Sequence, residues 1–173
     1  MTQQPDGRYA ALGQVVENAA VMEISLRMVF CALVGSKYAA VVADNEEMHI
    51  LIENCDALTR HRRDLADEQR EAIHAALRDC RRVNRERNRL VHDAWSTSAD
   101  GAPRTVQSQR RTYQITGRAW TVDTIQTVAD ALLDAQRVLL TAVEDAFGPH
   151  LLMLADQLRE EEAHGGRAHP GGG

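Results

Sequence analysis

One predicted helix, over about residues 68–94, carries polar side chains at positions where its period calls for apolar ones. At about 100° per residue, Asn84 and Arg87 fall on the same arc as the apolar residues Ile73, Leu77 and Cys80. A guanidinium is costly to bury unless it is paired. Arg87 is therefore expected either to have an acidic partner or to line a cavity where an anion binds.

The first predicted helix offers such a partner in Glu23. The apolar stripe of that helix reads Leu12, Val16, Ala19, Leu26, Phe30 and Val34. Glu23 falls near the centre of this stripe, where a carboxylate is as unusual as Arg87 is on its own helix. We predict that Glu23 supports Arg87, either in a purely structural ion pair or as the group that holds a functional arginine in place.

Asn88 and His92 lie four residues apart and hence side by side on the surface of the same helix. His92 is close to the C-terminal end, where the helix dipole favours the protonated imidazolium. A histidine there can exchange protons near neutral pH, while Arg87 can stabilise a developing negative charge. Arg87 and His92 are about 140° apart around the helix, so one chain is expected to present an incomplete site.

The run from Asn84 to Trp95 resembles the signature of the HEPN superfamily. Its members are helical bundles in which a late helix carries an arginine, a polar residue, a short spacer and a histidine. Arg87 matches the motif arginine, Asn88 the frequent polar residue after it, and His92 the motif histidine. A polar or acidic residue on an earlier helix often supports the motif in this family, and Glu23 is the candidate here. The resemblance covers the motif closely and the rest of the chain as architecture.

This resemblance implies a metal-independent endoribonuclease, of the kind that acts in toxin–antitoxin systems, phage defence and RNA processing. His92 would transfer protons, an effect typically worth ~10²–10⁴-fold in rate. Arg87 would stabilise charge on the phosphate, and Asn88 would orient the phosphate or His92. The expected products are a 2′,3′-cyclic phosphate and a 5′-hydroxyl. Family members pair so that both motifs line one cleft, which makes a C₂ homodimer the expectation.

Two other interpretations stay open. Some HEPN proteins keep the fold without activity, so the alternative function is a non-catalytic, dimeric binding or scaffold module; an unrelated helical protein with a chance motif is the third. In one subclass, a nucleotidyltransferase antitoxin modifies a tyrosine two residues after the motif histidine. That position is Ala94 here, so this mode of neutralisation is not supported, and an antitoxin or defence-system partner stays unidentified.

The motif lies within a run rich in arginine. Six arginines occur between positions 78 and 89, with only Asp79 and Glu86 as acids. We predict that Arg81, Arg85 and Arg89 contact RNA phosphates, against the alternative of an ordinary charged face. Further contacts for this surface are the candidates Arg110, Arg111 and Tyr113.

Composition limits the other classes of function. The net charge is −5 and Lys37 is the only lysine, so the chain is not a generally basic nucleic-acid binder. The three cysteines form no CxxC pair and are expected to be buried in a reducing compartment. With no apolar leader, membrane-length apolar run, phosphate loop or HExxH, we expect a cytoplasmic location, no membrane association, no metal and no cofactor.

The elements that position the motif are predicted to be helices. Few aromatics and many Ala, Leu and Val residues favour an all-α, HEPN-like four-helix bundle. The long helices are expected at 5–35, 46–60, 68–94 and 122–147, with a short helix at 37–43. Asp67 and Thr121 are expected caps, residues 96–103 a loop, and 104–120 a small β-hairpin or extended insertion. A last helix at 150–163 completes a single domain over 1–163, followed by a disordered Gly-rich tail at 164–173.

Overall fold

The computed structural model describes residues 7–36, 38–97, 103–109 and 114–148. The predicted last helix at 150–163, the tail at 164–173, and Arg110, Arg111 and Tyr113 lie outside these residues. The described chain is mostly helical, with a three-stranded antiparallel sheet in the order β1-β2-β3. The prediction of a helical fold with a small β insertion is thus confirmed at this level. None of the described helices has the length and apolarity needed to cross a membrane.

Four long helices appear close to their predicted bounds. The elements in chain order are α1 (Gly7–Val34), α2 (Ala39–Ala43), α3 (Met48–His61), α4 (Asp67–His92), β1 (Ala94–Thr97), β2 (Pro103–Gln109), β3 (Gln114–Ala119) and α5 (Val122–Phe147). Asp67, the predicted cap, is the first residue of α4. The backbone amide of Ala66 instead donates to the Gln69 side chain at 3.0 Å, which is one half of a capping box.

The described residues group into two compact units, and the motif belongs to the first. This unit comprises the described parts of Met1–Glu23 and Arg78–Arg137. Its buried apolar residues include Ala11, Val15, Ala19, Met22, Cys80, Val83, Leu90, Trp120, Ile125 and Leu132. The Asn18 amide donates to the Ala129 carbonyl at 2.8 Å and so joins α1 to α5. Burial raises the pKa of the Cys80 thiol to about 12, which keeps this cysteine unreactive, as expected for a core residue.

The second unit comprises the described parts of Ile24–Leu77 and Val138–Gly173. Its buried apolar residues include Leu26, Val29, Phe30, Leu51, Ile52, Cys55, Ile73, Leu77, Leu139 and Val143. Arg62 donates to the carbonyls of Ala32 and Leu33 at 3.3 and 2.8 Å, which satisfies acceptors at the end of α1. Its guanidinium also lies 4.8 Å from the ring centre of Phe147. The arginine thereby adds to the cap formed by Gly35, which has a positive φ of 63° and whose amide donates to the Cys31 carbonyl at 2.9 Å.

The buried face of α1 differs from the prediction. Val16, placed on the predicted stripe, is 50% exposed, whereas its neighbour Val15 is fully buried. Of the predicted stripe, Ala19, Leu26 and Phe30 are buried as expected. The buried apolar residues of α1 are Ala11, Val15, Ala19, Met22, Leu26, Val29, Phe30 and Leu33. Because alanine and valine occur all round this helix, more than one apolar stripe fits its period. Glu23 consequently lies about 100° from Met22, at the edge of the buried face, and is half-buried.

The end of α4 also differs from the prediction. The helix stops at His92 rather than Ala94, and Ala94–Thr97 forms strand β1, which the sequence places at a helix end and in a loop. Trp95 pairs with Thr105 of β2, and its indole donates to the Leu90 carbonyl at 2.9 Å. This bond satisfies one of the last carbonyls of α4. The apolar spacing of Val91 and Trp95 also fits a longer helix, but Trp95 is paired with the next strand in the chain instead.

The predicted β insertion and helix cap are both present. Strands β2 and β3 pair as an antiparallel hairpin. Trp120, 2% exposed, follows β3, and its indole donates to the Thr105 hydroxyl at 2.9 Å. The Thr124 amide donates to the Thr121 hydroxyl at 3.1 Å, and the Thr121 amide donates to the Thr124 hydroxyl at 2.8 Å. Thr121 is therefore the N-cap of α5, as predicted.

Replacing this cap is expected to weaken the fold measurably. Thr121→Ala should lower the free energy of unfolding by about 1 kcal/mol, because the Thr124 amide loses its acceptor. Urea unfolding followed by circular dichroism measures the change. The matched control is Thr127→Ala, an exposed threonine inside the same helix, where alanine has the better helix propensity. Equal losses in the two variants would show that Thr121 does not act as a cap.

Candidate functional site

Arg87 emerges from the buried face of α4. Asn84, one turn earlier, is 5% exposed, and Leu90, three residues later, is buried. The Arg87 side chain as a whole is half-buried, and its Nε atom is shielded from solvent without a hydrogen-bond partner. The helical period predicts this placement, since Asn84 and Arg87 share the arc of the core residues. The arginine is thus anchored in the interior and directs its far end outward.

The far end of Arg87 joins Asn88 and His92 in one hydrogen-bonded cluster. Its Nη1 atom donates to Asn88 Oδ1 at 2.8 Å and contacts His92 Nε2 at 3.1 Å. The expectation that one chain keeps Arg87 and His92 apart is therefore wrong. Their backbone positions differ by about 140° around the helix, but the long arginine side chain reaches round to the last residue of α4. The three motif side chains meet within one copy of the chain.

The chemistry of the two groups sets the direction of this hydrogen bond. A guanidinium nitrogen can only donate, so His92 Nε2 accepts through its lone pair. This arrangement requires the tautomer that carries its ring proton on Nδ1. His92 therefore enters the cluster as a base whose lone pair is occupied by Arg87.

Two groups of the cluster remain open to solvent. His92 is exposed. The second terminal nitrogen of Arg87, Nη2, bonds to no described residue and is not one of the buried unpaired atoms. Two guanidinium N–H groups are therefore free to donate to an anion, and planar donation to phosphate or carboxylate is the binding mode that arginine favours. The cluster thus combines an anion donor with an adjacent base.

The interior side of the cluster holds two unsatisfied polar atoms. Asn84 Oδ1 and Arg87 Nε are buried and have no hydrogen-bond partner among the described residues. Each such atom typically costs about 1–3 kcal/mol. They lie three residues apart on one helix face, and one is an acceptor and the other a donor.

The arginines around the cluster separate into paired and unpaired sets. Arg89 pairs with Glu86 at 3.1 Å, and Arg82 pairs with Asp79 at 3.3 Å. Glu86 also pairs with Arg118 of β3. The contacts of these arginines match the alternative interpretation, an ordinary charged face on which acids balance the arginines.

Arg81 and Arg85 form the unpaired set. Within the described part of the chain neither has an ion-pair partner, and Arg85 is exposed. With Asn88 and His92 they follow the spacing i, i+4, i+7 and i+11, which keeps all four within about 60° on α4. In this line of residues, called the α4 stripe below, two unpaired guanidinium groups lie on the same side of the helix as the cluster.

A groove near the cluster contains residues that the sequence did not single out as a site. It has a volume of about 350 Å³ and is lined by Arg8, Tyr9, Leu12, Trp95, Ser96 and Thr97. The Arg8 guanidinium carbon lies 5.2 Å from the Tyr9 ring centre and 5.7 Å from the Trp95 ring. The position of Trp95 three residues after His92 is the one signal available in the sequence. Its approach to α1 is a tertiary contact that periodicity does not reveal.

The remaining site predictions stand as follows. Glu23 is half-buried on α1 in the same compact unit as the cluster, and its support of Arg87 stays a prediction. Within the described ranges, no group of three or more His, Cys, Asp or Glu side chains is arranged to hold a metal ion. Comparison with protein-family models, with curated proteins and with solved structures finds no match to this chain.

The tautomer of His92 is directly measurable. Long-range ¹H–¹⁵N NMR of the histidine rings, at a pH where His92 is neutral, is expected to find its proton on Nδ1. Arg87→Ala should shift population toward the Nε2–H form, because the donor that requires the Nε2 lone pair is gone. Arg85→Ala, an exposed neighbour outside the cluster, should leave the pattern unchanged. A wild-type ring carrying its proton on Nε2 would contradict the arrangement of the cluster.

Proposed function

We propose that this protein is a metal-independent endoribonuclease of HEPN type that cleaves RNA by transesterification at Arg87 and His92. The observation that supports this most is the shared cluster, in which Arg87 is anchored in the interior and offers Nη2 to solvent beside an exposed His92. An anion donor next to a base is what cleavage through the 2′-hydroxyl needs. The resemblance of the motif extends this to a toxin or phage-defence effector.

The reaction would begin with exchange of partners at Arg87. A phosphate of RNA accepts from the guanidinium, which draws Arg87 away from His92 Nε2. The freed lone pair takes the proton of the 2′-hydroxyl, and the 2′-oxygen attacks phosphorus. The bond to the 5′-oxygen breaks, leaving a 2′,3′-cyclic phosphate, and the departing oxygen receives a proton. Substrate binding thereby activates the base, and Arg87 stabilises the charge on the phosphorane.

A homodimer would supply both proton-transfer groups. One histidine must take the first proton and a protonated group must deliver the second, and two copies of His92 can divide these roles. A C₂ pair that brings two clusters into one cleft meets this need. Asn88 then has a positioning role, because its Oδ1 fixes the same Arg87 Nη1 that contacts His92. Homodimerisation belongs to the proposal and follows from the chemistry.

The α4 stripe supports RNA as the substrate. Arg81 and Arg85 point from the same side of the helix as His92, and a rise of 1.5 Å per residue puts them about 16 and 10 Å before it. Unpaired guanidinium groups in line with the site can bind phosphates on one side of the scissile bond. An acidic protein with net charge −5 would confine polyanion binding to such a local surface.

One observation favours a second candidate, a non-catalytic HEPN-like binding module. In the unliganded chain the lone pair of His92 is already used by Arg87. If bound phosphate left this bond intact, the cluster would recognise an anion without acting as a base. The two candidate functions share the binding surface. They differ only in whether His92 is released from its contact with Arg87 when phosphate binds.

Cleavage in EDTA by wild type, His92→Ala and Arg87→Ala distinguishes them. A labelled pool of mixed RNAs should be cut by the wild type to cyclic phosphate ends. His92→Ala is expected to lower the rate about 10²–10⁴-fold because proton transfer is lost. Arg87→Ala is expected to lower it about 10²–10³-fold because charge stabilisation is lost.

The matched control for cleavage is His49→Ala, which alters an exposed histidine of α3 outside the cluster and should leave the rate unchanged. Circular dichroism of each variant establishes that it is folded. Binding without cleavage across the pool would support the binding module instead. Full activity in folded His92→Ala would eliminate the mechanism.

The α4 stripe makes a prediction about salt. In a His92→Ala background, the double variant Arg81→Gln/Arg85→Gln should bind RNA more weakly and with a shallower salt dependence. Loss of two phosphate contacts reduces the slope of log K against log [salt] by about 1.4 for a single strand. Fluorescence anisotropy of labelled RNA from 50 to 300 mM salt, roughly the range in which such slopes are resolved, measures this.

The matched control for salt is Arg137→Gln, which removes an arginine that pairs with Asp134 on α5. It changes the net charge by one without touching the α4 stripe, and its slope should equal that of the parent. A double variant with an unchanged slope would show that Arg81 and Arg85 do not contact phosphate.

A further inference from the structure

The groove between the start of α1 and strand β1 takes no part in the chemistry above. Its volume of about 350 Å³ lies within the range of small-ligand pockets, ~300–1,000 Å³. The wall from β1 is formed by Trp95, Ser96 and Thr97, and the wall from α1 carries Arg8 and Tyr9. Two aromatic residues and a guanidinium therefore line one space that is large enough for a single planar group.

The aromatic surface of this groove is held in a fixed position. The Trp95 indole donates to the Leu90 carbonyl at 2.9 Å, and its backbone is paired in the sheet opposite Thr105. The ring is half-buried, so part of it stays accessible. Tyr9, on the other wall, is 66% exposed. A fixed ring on one side and an adaptable ring on the other can accept a flat group between them at little entropic cost.

The charge of the groove selects among flat groups. The Arg8 guanidinium lies within 6 Å of both rings, where it adds positive charge and a further planar surface. Unpaired nucleobases stack on aromatic rings and on arginine planes, and the phosphates attached to them are attracted by the same charge. A cationic ligand is disfavoured there by the charge of the guanidinium.

The groove is also close to the cluster along the chain. Trp95 follows His92 by three residues, so their Cα atoms are at most about 11 Å apart. The α4 stripe approaches His92 from the other direction, since Arg81 and Arg85 precede it on the helix. An RNA strand with phosphates along the stripe and its reacting phosphate at Arg87 would continue toward Trp95.

We infer that this groove binds one unpaired nucleobase of an RNA strand, by stacking with Trp95, Tyr9 and Arg8, next to the phosphate held at the cluster. The identity of the ligand as RNA rests on the proposed function. The groove makes the protein selective for single-stranded RNA, because a base within a duplex is stacked on its neighbours and cannot enter.

Tryptophan fluorescence tests this inference directly, because the chain has only two tryptophans. Trp120 is 2% exposed, so a ligand that quenches emission on contact reports on Trp95. The probe is a single-stranded oligoribonucleotide of mixed sequence, added to His92→Ala protein so that it is not cut. A matched oligomer of the same length without bases keeps the phosphates. Saturable quenching is expected with the first oligomer, little with the second, and none in Trp95→Phe.

Variants of Tyr9 test the stacking separately from the fold, since this side chain is largely exposed. Tyr9→Ala should raise the Kd about 5- to 150-fold, which corresponds to the ~1–3 kcal/mol that stacking of one base contributes. Tyr9→Phe keeps the ring and should bind like the parent. Tyr38→Ala is the matched control, because Tyr38 is equally exposed at 67% and does not line the groove.

Equal quenching by the oligomer without bases, no quenching by either oligomer, or an unchanged Kd in Tyr9→Ala would each overturn the inference. These results are separable from the cleavage experiment. Cleavage without base-dependent quenching would reject the groove and keep the ribonuclease. Base-dependent quenching that Tyr9→Ala weakens, in a protein that cuts no RNA, would establish the groove as a base site and reject the catalytic role of His92.

Discussion

The side chain of Arg87 leaves the buried face of α4, and its guanidinium makes its hydrogen bonds near the end of that helix. Its Nε is enclosed without a partner, and its Nη1 finds Asn88 and His92. This constraint explains why the polar residues cluster as they do. Asn88 is the next residue in the chain, and His92 lies five positions further along, where the helix stops, so the long arginine side chain reaches acceptors at both distances.

Arg87 could be found from sequence because it breaks the period of one helix, and Asn88 and His92 because they complete a short motif with it. A misplaced Arg87 or Asn84 is visible without knowledge of any partner, and α5 could be bounded because Thr121 and a regular apolar pattern mark it. Strand β1 could not be predicted, since the spacing of Trp95 also fits a longer helix and its pairing with β2 leaves no mark on that spacing. The contact between Arg87 and His92 could not be predicted from the angle between them around the helix. That angle describes backbone positions, whereas hydrogen bonds are made by the ends of side chains. On α1, the many alanines and valines fit two apolar stripes that differ by one residue. Glu23 lies at the centre of the predicted stripe but at the edge of the one that is buried.

Local pairing, and not net charge, determines where this acidic protein can attract an anion. Glu86 is shared by Arg89 and Arg118, and Asp79 accompanies Arg82. These pairs cancel much of the arginine-rich run and, among the described residues, leave Arg81, Arg85 and the Arg87 of the cluster without an acidic partner. A count of charges over the same run predicts a broad basic face, whereas the structure has a narrow line of positive charge that ends at the cluster.

The junction between α4 and β1 carries a consequence for the length of the chain. Only Asp93 separates the last helical residue, His92, from a strand whose side chains alternate between two faces. A single inserted or deleted residue there would move Trp95 to the opposite side of the sheet and break its bond to the Leu90 carbonyl. The spacing between the histidine and the tryptophan is therefore a fixed dimension of the protein. Insertions and deletions of the kind that surface loops tolerate are not tolerated between His92 and Trp95.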